Sequence, residues 1–215
     1  MKTITLREGD FMKTMTIETK TLEEAKAAAE KELRIGRRYL SFDTQEKRSM
    51  LGLKKSYTVT ATVDVDLGEL GRSTLETMFE NMGVSADITV KSGEENNFAY
   101  YIETNENPVL IGKNGKTLES IQFYIRNLLN IFTDERVIVL VDIGGYKAQR
   151  RKQLEILATK TAKEVARSKV PVKLDPMNAY ERRIIHTKLA EWRDVTTRSQ
   201  GEKQDRHLVI EPKKK

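Results

Sequence analysis

Two glycines three residues apart interrupt an otherwise apolar stretch, Pro108-Val109-Leu110-Ile111-Gly112-Lys113-Asn114-Gly115-Lys116-Thr117-Leu118. A helix interior disfavours glycine, whereas a turn in which backbone closes on backbone requires it. The spacing therefore predicts a short helix, a tight Gly-x-x-Gly turn and a second helix. That second helix runs from Lys116 to Asn130, with Leu118, Ile121, Ile125, Leu128 and Leu129 on one face. Upstream, Leu75, Met78, Phe79 and Met82 predict a helix over 73–82, ended by Gly83. Strands Ala86–Val90 and Ala99–Thr104 follow around a polar turn at 92–97, and Val137–Val141 reads as a fully apolar strand. The order is α-β-β-α-turn-α-β.

The flanking segments have their own punctuation. Residues 14–19 alternate as a half-buried strand does. Thr21 and Glu24 form a capping-box pattern opening a helix through Ala25, Ala29, Leu33 and Ile35, with Gly36 as its stop. Residues 38–44 predict a second strand, Lys47 to Gly52 a turn, and Tyr57 to Val65 a cleanly alternating third strand. Gly68-Glu69-Leu70-Gly71 is the expected hinge and Gly144-Gly145 a second junction. Beyond it, 146–168 reads as a long basic helix with a core stripe of Leu154, Leu157, Ala158, Ala162 and Val165. A short strand at 171–174 precedes a helix over 178–192, capped by Asp175 or by Asn178 with Glu181. Strands at 195–198 and 207–210 flank a turn containing Gly201, and Lys213 to Lys215 form a basic tail. The expected fold class is α+β, three small domains in series: 1–66, 72–143 and 144–215.

Charge separates these segments. Residues 144–215 hold 19 Lys/Arg against 9 Asp/Glu, a net of +10, whereas 67–143 hold 6 against 12, a net of −6. The excess on the last third is the footprint of a polyanion-binding module. The chain has no cysteine and two histidines, so disulfides, thiolate metal sites and a cysteine nucleophile are excluded. Neither an acid cluster nor a histidine pair has metal-binding spacing, so no catalytic residue, metal or cofactor is expected. No apolar run approaches the roughly 20 residues of a membrane span, and the N-terminus lacks a signal-peptide core. A cytoplasmic protein is the resulting expectation.

Two motifs carry chemistry. At Gly112-Lys113-Asn114-Gly115 a phosphate would meet free N–H groups at a helix N-terminus and the charges of Lys113 and Lys116. Leu110, Ile111 and Leu118 would offer bases an apolar surface. In Tyr180-Glu181-Arg182-Arg183-Ile184-Ile185-His186 the i, i+4 spacing puts Arg182 and His186 on one helix face, with Arg183 about 100° round. Arginine forks onto phosphate, and imidazole can donate to phosphate or stack on a base. Lys147, Arg150, Arg151 and Lys152 form a basic cluster that extends this surface or simply faces solvent. Trp192 reads as packing at a helix end, and Tyr100 and Tyr101 as strand residues.

Residues 72–143 resemble a type II KH domain, whose loop, here Ile111 to Lys116, holds about four single-stranded nucleotides. Residues 178–212 resemble the small Arg-x-x-x-His domain that binds single-stranded nucleic acids. Arg182 and His186 are then the signature pair, with Arg183, Arg198 and Arg206 as neighbours on the same surface. The combination is similar to the bacterial Jag family. That resemblance implies a cytoplasmic single-stranded RNA-binding protein, a post-transcriptional regulator tied to cell-envelope growth and elongation and partnered by a single-domain KH protein; it also leaves room for a homo-oligomer. A protein-interaction adaptor and a single-stranded DNA binder are the rival readings. The sequence departs from the family at Lys47-Arg48-Ser49-Met50-Leu51-Gly52, where a Lys-Lys-Gly-Phe-Leu-Gly-like motif is usual, and in having only about five residues before the KH-like segment.

Overall fold

The computed structural model describes residues 2–3, 12–48, 55–93 and 96–213. The chain divides into two compact units, Met1–Gly144 and Gly145–Lys215.

The first unit begins with an antiparallel sheet of β1 (Lys2–Thr3), β2 (Thr14–Thr19), β3 (Leu40–Arg48) and β4 (Lys55–Val63), in the order β1-β2-β4-β3. Register pairs Met15 with Ala61 and Ile17 with Val59, so the apolar positions of both strands share one face. Helix α1 (Leu22–Leu33) packs Ala29 there. Thr21 caps α1, its hydroxyl accepting from the Glu24 N–H at 3.4 Å. The helix does not stop at Gly36: Arg34 takes the left-handed conformation instead, and Ile35 turns into the core. The turn expected at 47–52 lies, from Ser49 on, outside the described residues; Lys47 and Arg48 belong to β3.

The same unit continues with α2 (Leu67–Asn81), β5 (Ala86–Ser92), β6 (Asn97–Thr104), α3 (Asn107–Ile111), α4 (Lys116–Leu129) and β7 (Ile138–Ile143). The sheet order is β5-β6-β7, with β6 antiparallel to β5 and parallel to β7. Gly68 and Gly71 form no hinge. They lie in the first turns of α2, which Asp66 caps through the Glu69 N–H at 3.0 Å. The reason is Tyr100 on β6: a Cβ on Gly71 would overlap its hydroxyl oxygen. That hydroxyl reaches the Leu67 and Gly68 carbonyl oxygens at 3.3 Å. Burial, first, and then the nearby Asp66 and Glu69 carboxylates push the phenol pKa well above its usual 10.

β7 is not buried on both faces as its composition suggested. Val139, Val141 and Ile143 point into the core, while Ile138 and Leu140 are exposed, because helices cover only one side of this edge strand. The two sheets of the unit meet: the Lys13 N–H donates to the Phe132 carbonyl at 3.3 Å and its ammonium to the Ile131 carbonyl at 2.7 Å. The Tyr39 ring stands edge-on to Phe132, centroids 5.2 Å apart.

The second unit comprises α5 (Tyr146–Ser168), β8 (Val172–Lys173), α6 (Ala179–Leu189), β9 (Val195–Gln200) and β10 (His207–Pro212). Its antiparallel sheet, in the order β8-β10-β9, is backed by α5 and α6 around Leu154, Ala158, Val165, Ile185, Leu189 and Ile210. In the expected α5 stripe, Leu157 is displaced: it is 39% exposed, and Thr161 is buried in the stripe instead. Trp192 packs partly buried against this core. Helix α6 ends at Leu189, three residues before the expected Trp192.

Candidate nucleic-acid interface

The Gly112–Gly115 loop is a backbone device. Pro108 starts α3, whose single turn buries Leu110 and ends with the Gly112 N–H on the Pro108 carbonyl at 3.0 Å. Gly112 has φ 69° and ψ −178°, a region open essentially to glycine alone. A Cβ there would also overlap the Thr117 hydroxyl. Asn114 and Gly115 are both left-handed, and the Gly115 N–H returns to the Gly112 carbonyl at 3.2 Å. Asparagine is one of the few residues with a side chain that tolerates this conformation. Because Gly115 sits at the N-cap, no side chain caps α4, and the dipole end of the helix faces outward at the loop. Lys113 and Lys116 are exposed and, among the described residues, in no ion pair. The expected apolar surface is smaller than the sequence suggested. Leu110 and Leu118 are core residues, leaving half-buried Ile111 and, unanticipated, exposed Val109 on the outer side of α3.

The second constellation is built from side chains. Asn178 and Glu181 form a full capping box that starts α6. The buried Glu181 carboxylate also accepts from Arg150 Nε at 2.7 Å, locking α6 against α5. Arg182 donates to the Met177 carbonyl at 2.7 Å, and the Met177 N–H donates to the Arg206 carbonyl at 3.2 Å. Arg206 Nε then donates to Ser199 Oγ at 3.0 Å. Two residues along the same strand face, Thr197 Oγ1 shares a 2.6 Å hydrogen bond with His186 Nδ1. One chain of contacts thus gathers Arg182, His186 and Arg206 along the Thr197/Ser199 face of β9. His186 is exposed, and its Nε2 remains available.

Other basic residues lie elsewhere. Arg198 falls between Thr197 and Ser199, so its side chain points to the opposite sheet face, where it pairs with Glu211 at 3.7 Å. Period-2 alternation carried that signal in the sequence. Arg183 lies round α6, lining a groove with Tyr180 and Thr187. The basic cluster at 147–152 does not form one surface: Arg150 is turned inward to Glu181, and Arg151 pairs with Glu155 at 3.1 Å. His207 is buried, its Nδ1 2.7 Å from the Asp205 carbonyl oxygen, a structural role. Among the described residues no group of acids and histidines could hold a metal, and no helix is long and apolar enough to cross a membrane.

These features define a chain of small α+β modules with an Arg-x-x-x-His surface, and residues 152–212 match the domain family named for that Arg-x-x-x-His motif. Across 207 residues, 94% of this chain and 93% of the relative, it is 35% identical to the RNA-binding protein KhpB of Clostridium symbiosum. It is 29% identical over 209 residues, 94% of this chain and the whole of the relative, to the RNA-binding protein KhpB of Bacillus subtilis. A match of 36% over 132 residues covers 61% of this chain and 40% of the longer RNA-binding protein KhpB of Lactiplantibacillus plantarum. The chain belongs to the Jag family, whose members these relatives are.

Proposed function

We propose that this chain is a non-catalytic single-stranded RNA-binding protein that uses two contacts of different physical kind. The observation that carries the reading is the hydrogen-bond chain running from Arg182 through Met177 and Arg206 to Ser199, with His186 held on Thr197 of the same strand face. It presents two guanidinium forks and an imidazole side by side on one surface, the equipment for phosphate and base contact. The relatives' shared name, RNA-binding protein KhpB, supports RNA as the ligand.

Residues 72–143 act as a type II KH module, with Ile111, Gly112, Lys113, Asn114, Gly115 and Lys116 as the clamp. Two weak sites on one chain raise affinity through effective concentration. The protein works in the cytoplasm as a post-transcriptional regulator serving cell-envelope growth, with a single-domain KH protein as partner. An adaptor role is favoured by one further observation, the exposed Ile138, Leu140 and Tyr101 on the uncovered face of the β5-β6-β7 sheet.

Titration of labelled single-stranded RNA with the full chain tests the reading. K113D/N114D and R182A/H186A are each expected to weaken binding about tenfold, the equivalent of one lost charge-assisted contact set. Wild-type affinity in both variants sinks RNA binding at these sites; RNA-independent capture of a partner, unchanged by nuclease, favours the adaptor.

A further inference from the structure

Helix α5 carries a second feature that neither signature motif uses. Lys152, Ile156, Lys160 and Lys163 fall at i, i+4, i+8 and i+11 and so form one stripe along about 16 Å of helix. With Lys188 of α6 they line an open groove of about 530 Å³. The floor is Ile156, 68% exposed. The one acid lining it among the described residues, Glu155, is already paired with Arg151. Among the described residues none of the four ammonium groups has a carboxylate partner. Four like charges around one concave, partly apolar surface repel one another until an anion fills it.

We infer that this groove is a track for the sugar-phosphate backbone of a single RNA strand that also contacts the Arg182/His186 surface; the inference rests on the RNA-binding reading above. Continuity supports it. A neighbouring groove of about 400 Å³ shares Glu155 and Lys188 and adds Tyr180, Arg183 and Thr187. On the α6 wheel Arg183 and Thr187 lie between Lys188 on one flank and the Arg182/His186 pair on the other. A strand crossing the outer face of α6 therefore meets cations throughout. Lysine suits this role, because a point charge on a flexible stem follows phosphates without fixing register. A lipid surface fits less well: membrane-lying helices offer a broad apolar face, whereas the apolar stripe of α5 is spent on the core and leaves Ile156 alone in the groove.

The test is salt-dependent titration of the full chain with a long oligouridine strand. K160Q/K163Q/K188Q is expected to make the dependence of log affinity on log salt shallower by about 2, roughly 0.7 per lysine. At low salt it binds at least about tenfold more weakly. K160R/K163R/K188R, which keeps the charge, is expected to retain the wild-type slope. A glutamine variant that titrates as wild type overturns the track. So does one that loses only sedimentation with phosphatidylglycerol vesicles while RNA binding stays intact, which assigns the groove to a membrane. R182A/H186A is measured in parallel. If it binds as wild type while the glutamine variant is weakened, the Arg182/His186 reading fails and the lysine groove stands as the RNA contact of this unit.

Discussion

The loop at Gly112–Gly115 and the surface around Arg182 and His186 reach toward the same chemistry by opposite means. The first sits in a segment with a net charge of −6 and is made of backbone: three residues at positive φ, an uncapped helix start and two lysines. The second sits in a segment with a net charge of +10 and is made of side chains oriented by a hydrogen-bond chain. The difference concerns what each can tolerate. A backbone site cannot lose its glycine without losing its shape, so stability and binding fall together there. A side-chain site can lose its charges and keep its fold, provided the residues that position them are left alone.

Trp192 is the only tryptophan and packs on the core of the second unit, so its fluorescence reports that unit separately. The largest expected effect is E181A. Removing the buried partner of Arg150 and half of a capping box is expected to cost the second unit about 3 kcal/mol, seen as an earlier Trp192 transition in urea. An unmoved midpoint would mean that the charged surface needs no such support. Next is G112A, expected to cost about 2 kcal/mol through forbidden backbone and the contact with Thr117. Far-UV circular dichroism should register that loss while the Trp192 transition stays in place. A stable G112A that still binds RNA would erase the contrast between the two sites.

The smallest is Y100F, which gives up two hydrogen bonds and is expected to cost about 1 kcal/mol at neutral pH. The wild type has the sharper signature. Its folded-state phenol pKa lies above the unfolded value of about 10, so the stability linked to it is full below pH 10 and drains away as pH rises toward the folded value. Y100F should lose that alkaline slope. If both proteins soften equally above pH 10, the hydroxyl is not what the first unit guards.

Local signals were legible in the sequence. Alternation located β2 and β4, the Gly-x-x-Gly spacing located the loop, and Thr21 and Asn178 marked their helix starts. What escaped depended on distant partners. Gly68 and Gly71 looked like a hinge because nothing near them in sequence reveals that Tyr100, some thirty residues on, fills the space where a Cβ would go. β7 reads as doubly buried until the number of covered sheet faces is known. Arg150 reads as a surface cation until Glu181 is seen beside it. For Arg198 the information was local and was overridden by grouping basic residues by proximity, although neighbours on a strand face opposite ways.

The contact of Lys13 and Tyr39 with Ile131 and Phe132 has a consequence for how such proteins are assembled over generations. Phe132 is almost fully covered, and its edge is met by a ring from the N-terminal sheet. A gene fusion that borrowed residues 67–143 alone would carry a bare aromatic and two unanswered carbonyls into its new host. The inheritable piece is therefore the whole of Met1–Gly144, and a shuffled copy trimmed closer should betray itself by clumping.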